Sequence, residues 1–263
     1  MTLLSEEYSQ LDTTKINNLA QAEEYDWTLD PVSGYYYQTS EDLPLALAAD
    51  MWMKAGKETT FADDEVIEKP TDFSGDDLDF TQATEGYRAK YKTNIMNGKP
   101  VFRYDGTDDF YPLSSTLWGG TNKFTMFAVV EFSDVDVARG IMGSPYNNGF
   151  RLYRQADNTI QWYIRGLNIS VLNATELAIN TPYLISCIYN SVNAVVRVNG
   201  VAGTPVASTT KMQTVPENAG KALNGTETFK GDMPELIFFD GKAIAGGDLT
   251  ALESALMTEY GII

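Results

Sequence analysis

Two aspartates, Asp108 and Asp109, stand side by side in "NGKPVFRYDGTDDFYPL", residues 97–113. Such a pair can do acid/base chemistry: one carboxyl protonates a leaving oxygen while the other attacks or activates water. The same run is dense in turn signals. Asn97-Gly98 and Asp105-Gly106 flank the strand-like "VFRY", and these pairs form tight turns because both residues tolerate positive φ. On that reading Asp105 takes the first central position of an Asp-Gly turn, and Asp108 and Asp109 accept from local backbone N–H groups. The turn reading is the one the rest of the chain supports.

Three other groups of residues have chemistry to offer. "DFSGDDLDF" presents Asp72, Asp76, Asp77 and Asp79, oxygen ligands suited to calcium, although the spacing is not that of an EF-hand loop and a solvated acidic loop has the same composition. "GFRLYRQADNTIQWYIRG" reads as a hairpin turning at "QADN". Its apolar positions Phe150, Leu152, Ile160, Trp162 and Ile164 alternate with Arg151, Tyr153, Gln161, Tyr163 and Arg165. The second set combines aromatic faces with hydrogen-bonding groups, the needs of a carbohydrate contact. It is equally the pattern of an ordinary half-wet hairpin. Trp118, in "STLWGGTNK", is a second aromatic candidate. The chain has no histidine, which removes Ser-His-Asp and Cys-His nucleophiles and histidine-bound zinc. The single cysteine, Cys187, lies in the apolar run "YLISCIYN" and reads as a buried small hydrophobe.

The elements that would position these residues are mostly strands. Asn-Gly recurs at 97, 148, 199 and 224, and Asp-Gly at 105 and 240. The runs between them, "FTMFAVVEFSD", "YLISCIYNSVNAVVRVNG" and "DMPELIFFDG" among them, are short and β-rich, as in a sandwich or barrel. One helix is expected at the end. There Leu249, Leu252, Leu256 and Tyr260 share a face, Thr250 and Glu253 have capping-box spacing, and Gly261 stops it. A weaker helical pattern runs through residues 1–24, followed by a Pro/Gly-punctuated connector, with the domain boundary near Asp42.

The 263 residues, 43% of them hydrophobic, suffice for one large all-β domain. The net charge of −17 is uneven: residues 1–85 hold 20 acidic against 4 basic residues, a net of −16, and the remainder nets −1. With no basic stripe, nucleic-acid binding is disfavoured. The first residues lack the pattern of a secretory signal, and no run is long enough to span a bilayer, so the expectation is a protein made in the cytoplasm with no membrane insertion. The Asn-x-Ser/Thr sequons at Asn168, Asn173 and Asn224 then read as chance.

"TQATEGYRAKYKTNIMNGKPVFRYDGTDDFYPL" resembles the opening of laminin-G-like, concanavalin A-like jelly-roll domains, and "FKGDMPELIFFDGKAIAGGDLTALESALMTEYGI" is similar to their ending. The resemblance extends from Leu43 to the C-terminus. It implies an all-β, concanavalin A-like jelly-roll β-sandwich over residues 43–263, with a short C-terminal helix and an N-terminal extension, residues 1–42. It implies no single function, since the fold carries lectins, adhesion modules, glycanases and spacers. The Glu-x-Asp-x-x-Glu pattern of its glycanases is absent. The expected function is therefore non-enzymatic: a bacteriophage virion protein, of head-decoration, head-fibre or tail-fibre type. Residues 1–42 would dock it to other virion proteins and the sandwich would meet host-surface glycans or neighbouring virion proteins. It would be a homo-oligomer in some of these settings, and would need no cofactor unless the acidic loop takes calcium. The alternative is a glycan-degrading enzyme, or its carbohydrate-binding module, on the same fold.

Overall fold

The computed structural model describes residues 27–29, 36–38, 43–76, 78, 80–113, 123–144, 150–164, 169–208, 218–223 and 227–263. The helix expected within residues 1–24 falls outside this set, as do Trp118, Arg165, Asp77, Asp79 and the Asn-Gly pairs at 148 and 224. The connector is not structureless: it holds an antiparallel ribbon of β1 (Trp27–Leu29) and β2 (Tyr36–Gln38). A one-turn helix, α1 (Leu43–Ala46), leads to β3 (Met51–Lys54), then β4 (Lys90–Met96), β5 (Lys99–Asp105), β6 (Tyr111–Pro112) and β7 (Phe124–Phe132). Next come β8 (Arg139–Gly143), β9 (Phe150–Arg154), β10 (Ile160–Ile164) and β11 (Ile169–Asn173), followed by β12 (Pro182–Tyr189), β13 (Asn193–Val198), β14 (Val201–Ala202) and β15 (Val206–Ala207). The last strands are β16 (Asn218–Ala219), β17 (Lys221–Leu223), β18 (Glu227–Thr228) and β19 (Lys230–Asp240), and α2 (Gly246–Tyr260) ends the chain.

These strands make two large antiparallel sheets. Six run in the order β11-β10-β9-β8-β16-β6, and nine are built around β14-β13-β12-β7-β19-β5-β4, with β15 added to β13 and β3 to β19. Inward side chains of both sheets form the main core, where Phe124 meets Trp162 edge-on at 5.0 Å and stacks on Phe238 at 5.6 Å. Cys187 is buried there, as its sequence context suggests. A second apolar cluster lies on the other face of the nine-stranded sheet, where Trp52, Phe127, Val129, Leu184, Ile237 and Phe239 pack under Leu252, Leu256 and Tyr260 of α2. This double burial explains the sequence texture. β7 and β19 read as continuous apolar runs because both faces are covered, whereas β10 alternates because one face is wet.

The central strand β19 changes partner halfway. Lys230–Met233 pair with β5, and Glu235–Phe238 pair with β3. Pro234 stands between the two stretches, where its missing N–H costs no ladder bond. The tight turns fall at the expected places: Asn97 and Gly98 have φ of 49° and 76° between β4 and β5, and Asn199 and Gly200 have 48° and 75° between β13 and β14.

Two details depart from the sequence reading. α2 begins at Gly246 after Ala245, one turn earlier than expected, so Thr250 and Glu253 are not a capping box. Thr250 donates back to the Gly246 carbonyl, and Glu253 is buried against Arg197 and Ser186. The predicted stop is present: Gly261 is left-handed at φ 65°, and the Ile262 N–H donates to the Met257 carbonyl at 2.8 Å. Asp105, second, is the last residue of β5 rather than a central turn residue, and the positive φ belongs to Gly106 alone.

Candidate functional site

The outward face of β9, β10 and β11 gathers most of the residues that the sequence singled out. Period-two alternation sends Phe150, Leu152, Ile160, Trp162, Ile164 and Val171 into the core. The intervening positions share the other face, and the register sets them beside one another: Arg151 opposite Tyr163, Tyr153 opposite Gln161, Tyr163 opposite Ser170, and Gln161 opposite Leu172. The Tyr153 hydroxyl donates to Gln161 Oε1, and Gln161 Nε2 donates to Ser170 Oγ at 2.7 Å. This chain fixes the orientation of the Gln161 amide. Burial raises the Tyr153 phenol above its ordinary pKa while Arg151 pulls the other way, and the phenol stays a neutral donor.

Arg151 and Tyr153 are not both open to solvent. The guanidinium lies 3.6 Å from the Tyr153 ring centre, in cation–π contact, and Tyr153 is only 6% exposed. The aromatic ring left partly open on this face is Tyr163, flanked by Ser170 and by Leu172, which is 41% exposed. Arg165 and Trp118, the remaining candidates, lie outside the described residues.

One residue of this face was not anticipated. Glu227, on β18, accepts from Arg151 Nε at 2.6 Å and also from Arg151 Nη2, a two-pronged pairing. The β17–β18 hairpin reaches Arg151 because it lies against β8, where two glycines make room. A Cβ on Gly143 would stand 2.4 Å from the Ala222 carbonyl oxygen, and one on Gly140 would stand 2.3 Å from the Ala222 nitrogen. The signal was in the sequence: two glycines in the strand "RGIMG" mark a close backbone approach. Gly143→Ala is accordingly expected to shift the hairpin and cost about 1–3 kcal/mol. Thermal unfolding would register it, and an unchanged melting temperature would refute the close seat.

Of the acidic loop, Asp72 and Asp76 are described. Asp72 Oδ1 accepts from the Trp52 and Ser74 N–H groups at 2.9 and 3.0 Å, and Oδ2 accepts from Ser74 Oγ and the Leu78 N–H at 2.8 and 3.0 Å. That carboxylate organises its own loop, and Asp76 is exposed beside it. Around the aspartate pair, Asp105 Oδ1 accepts from the Thr107 N–H at 2.7 Å, and Asp109 Oδ2 accepts from the Asp105 N–H at 2.8 Å. Asp109 thus caps backbone as expected, while on the neighbouring turn that work falls to Asp105 rather than Asp108. Burial, opposed by the Asp105 N–H and reinforced by the Asp105 and Asp108 charges, pushes Asp109 up to about 7. On the nine-stranded sheet Glu131 and Asp232 also sit directly opposite each other on neighbouring strands. Both oxygens of Asp232 accept from Arg103, its cross-strand neighbour on β5, at 2.7 Å, so Asp232 is committed to a strand-to-strand ion pair.

No protein-family model and no curated protein matches the chain. Solved structures do. The binding domain of Paraclostridial Mosquitocidal Protein 1 matches with a TM-score of 0.58 at 10% identity, over 82% of this chain and 56% of that one. The botulinum neurotoxin serotype D binding domain matches with a TM-score of 0.56 at 11% identity, over 81% of this chain and 53% of that one. Botulinum neurotoxin type C, which enters cells in dependence on interaction with two ganglioside molecules, matches with a TM-score of 0.52 at 13% identity, over 80% and 51%. The chain spans about half the length of these structures. At such identities the likeness establishes the fold: an all-β sandwich of the kind found in toxin binding domains.

Proposed function

We propose that the chain is a non-enzymatic glycan-binding adhesion module, and that its ligand lies on the outward face of β9, β10 and β11. The observation that carries this reading is the convergence on one face of a partly open ring, Tyr163, an oriented amide, Gln161, and a hydroxyl, Ser170. A pyranose offers an apolar C–H face and equatorial hydroxyls, which suit such a set. The fold shared with toxin binding domains supports a binding role over a catalytic one.

The wider setting in this reading is a bacteriophage particle, with residues 1–42 as the docking segment. That segment carries 9 acidic residues and 1 basic residue, a charge suited to a basic partner surface. A chain of residues 43–263 that enters particles as well as the full chain does would refute the docking role.

The test of the glycan reading is an array of cell-surface glycans probed with the full chain and with Tyr163→Ala. Loss of the ring is expected to weaken binding about tenfold or more, the scale of an aromatic contact. Equal binding by both proteins would move the site elsewhere. Hydrolysis of an array glycan by the wild-type protein would favour the enzymatic alternative.

A further inference from the structure

We propose that Glu227 restricts this face to uncharged glycans by occupying Arg151, the one cation described on it, which would otherwise attract a carboxylate. The inference rests on the glycan-binding reading above and specifies its ligand class. Among the described residues, Arg151 is the only cationic side chain on the outward face of β9, β10 and β11. A guanidinium recognises a sugar carboxylate through its fork of parallel N–H groups. In Arg151 the Nε/Nη2 edge of that fork is engaged, both nitrogens donating to Glu227, and Cζ lies over the Tyr153 ring 3.6 Å from its centre. The nearest other cation of the β17–β18 hairpin, Lys221, has its ammonium 4.5 Å over the Phe110 ring.

Among the described residues, what this leaves for a ligand is neutral. Gln161, Ser170 and Tyr163 offer amide and hydroxyl groups, and Leu172 offers an apolar surface. A sialic acid or uronic acid placed here would bring its carboxylate towards Glu227, with the paired Arg151 no longer free to receive it. That arrangement attracts a neutral hydroxylated ligand and repels its acidic counterpart. Glu227 is held in place for this role, since the hairpin that carries it is seated by backbone contact on Gly140 and Gly143.

The experiment is a binding comparison on matched glycan pairs, each a neutral chain and the same chain capped with sialic acid. The proteins are the wild-type full chain and Glu227→Gln, which keeps an acceptor for Arg151 but removes the charge. Wild type is expected to favour the neutral member by about tenfold, and Glu227→Gln to erase or reverse that ratio. A wild-type preference for the sialylated member would overturn the proposal, as would a ratio that Glu227→Gln leaves unchanged while its melting temperature matches wild type. The wild-type ratio is decisive even where the variant folds poorly. Binding of neither member by either protein would sink the glycan reading itself, a different failure from a reversed preference.

Discussion

Replacing Lys54 with methionine lowers the unfolding free energy by about 3–5 kcal/mol at neutral pH, the cost of leaving buried carboxylates without their cation. Lys54 is almost wholly buried between the nine-stranded sheet and α2. Its ammonium lies 2.8 Å from Glu259 Oε2 on the helix and 3.5 Å from Glu235 Oε2, its cross-strand neighbour on β19. Glu235 is further held by the Trp52 indole N–H at 2.6 Å and the Tyr260 hydroxyl at 2.7 Å. Burial raises the Glu235 pKa, Lys54 pulls it back, and Glu259 pushes it up again. Methionine matches the stem of lysine in volume, so the loss comes from charge and not from a cavity.

The sign of the pH dependence follows. Without Lys54, Glu235 has a folded-state pKa above its unfolded value, so the variant is least penalised below the unfolded pKa. Its deficit then grows as pH rises through the folded one. Denaturant unfolding of wild type and Lys54→Met at acid and neutral pH would measure this. Adding Glu235→Gln should restore more than half of the deficit, because the amide oxygen still accepts from the Trp52 indole, its NH2 group donates to the Tyr260 hydroxyl oxygen, and one of the two stranded charges is gone. A deficit under about 1 kcal/mol, or one that Glu235→Gln deepens, would show that the cluster is too well hydrated to need its cation.

This cluster marks the limit of what the sequence discloses. The hairpin of β9 and β10 was legible because one of its faces is wet, and a period of two is visible only under that condition. The same period delivered Arg151, Tyr153, Gln161 and Tyr163 to one face. β7 and β19 were legible as strands, but nothing in "FTMFAVVEF" shows that α2 covers its second face. Glu253 illustrates why. Its spacing from Thr250 fits a local cap, yet its partners, Arg197 at 2.7 Å and Ser186 at 2.9 Å, are over fifty residues away in the chain. Glu227 escaped for the same reason, being 76 residues from Arg151. Periodicity and turn chemistry are local signals, whereas ion pairing across layers depends on topology.

At Asp109 local chemistry has a global consequence, and the expected result is a stability difference that depends on pH. Asp109→Asn should match wild type near pH 4 and exceed it by about 2–4 kcal/mol near pH 8. The carboxyl is buried, and its pKa rises from an ordinary 3.8 to about 7, chiefly by loss of solvation and further by Asp105 and Asp108, with the Asp105 N–H and Lys90 opposing. A raised folded-state value means that the folded protein holds the proton more tightly than the unfolded chain does. The stability this contributes is complete below about pH 4 and is lost as pH climbs through about 7. Asparagine stands in for the protonated acid, because its carbonyl can still accept the Asp105 N–H that Asp109 Oδ2 accepts at 2.8 Å. The comparison is made as a difference between the two proteins, since carboxylates held below their ordinary values, such as Asp134 beside Arg139, give both the opposite slope. Urea unfolding of the two proteins across that range would read the difference directly. A constant offset, or a variant weaker than wild type near pH 8, would mean that Asp109 stays ionised in the fold. Its carboxylate would then stabilise the turn after β5 as an anion. An advantage that grows with pH would instead establish that the second aspartate of "TDD" is carried as a neutral acid for the sake of the turn, with no acid/base role required to explain it.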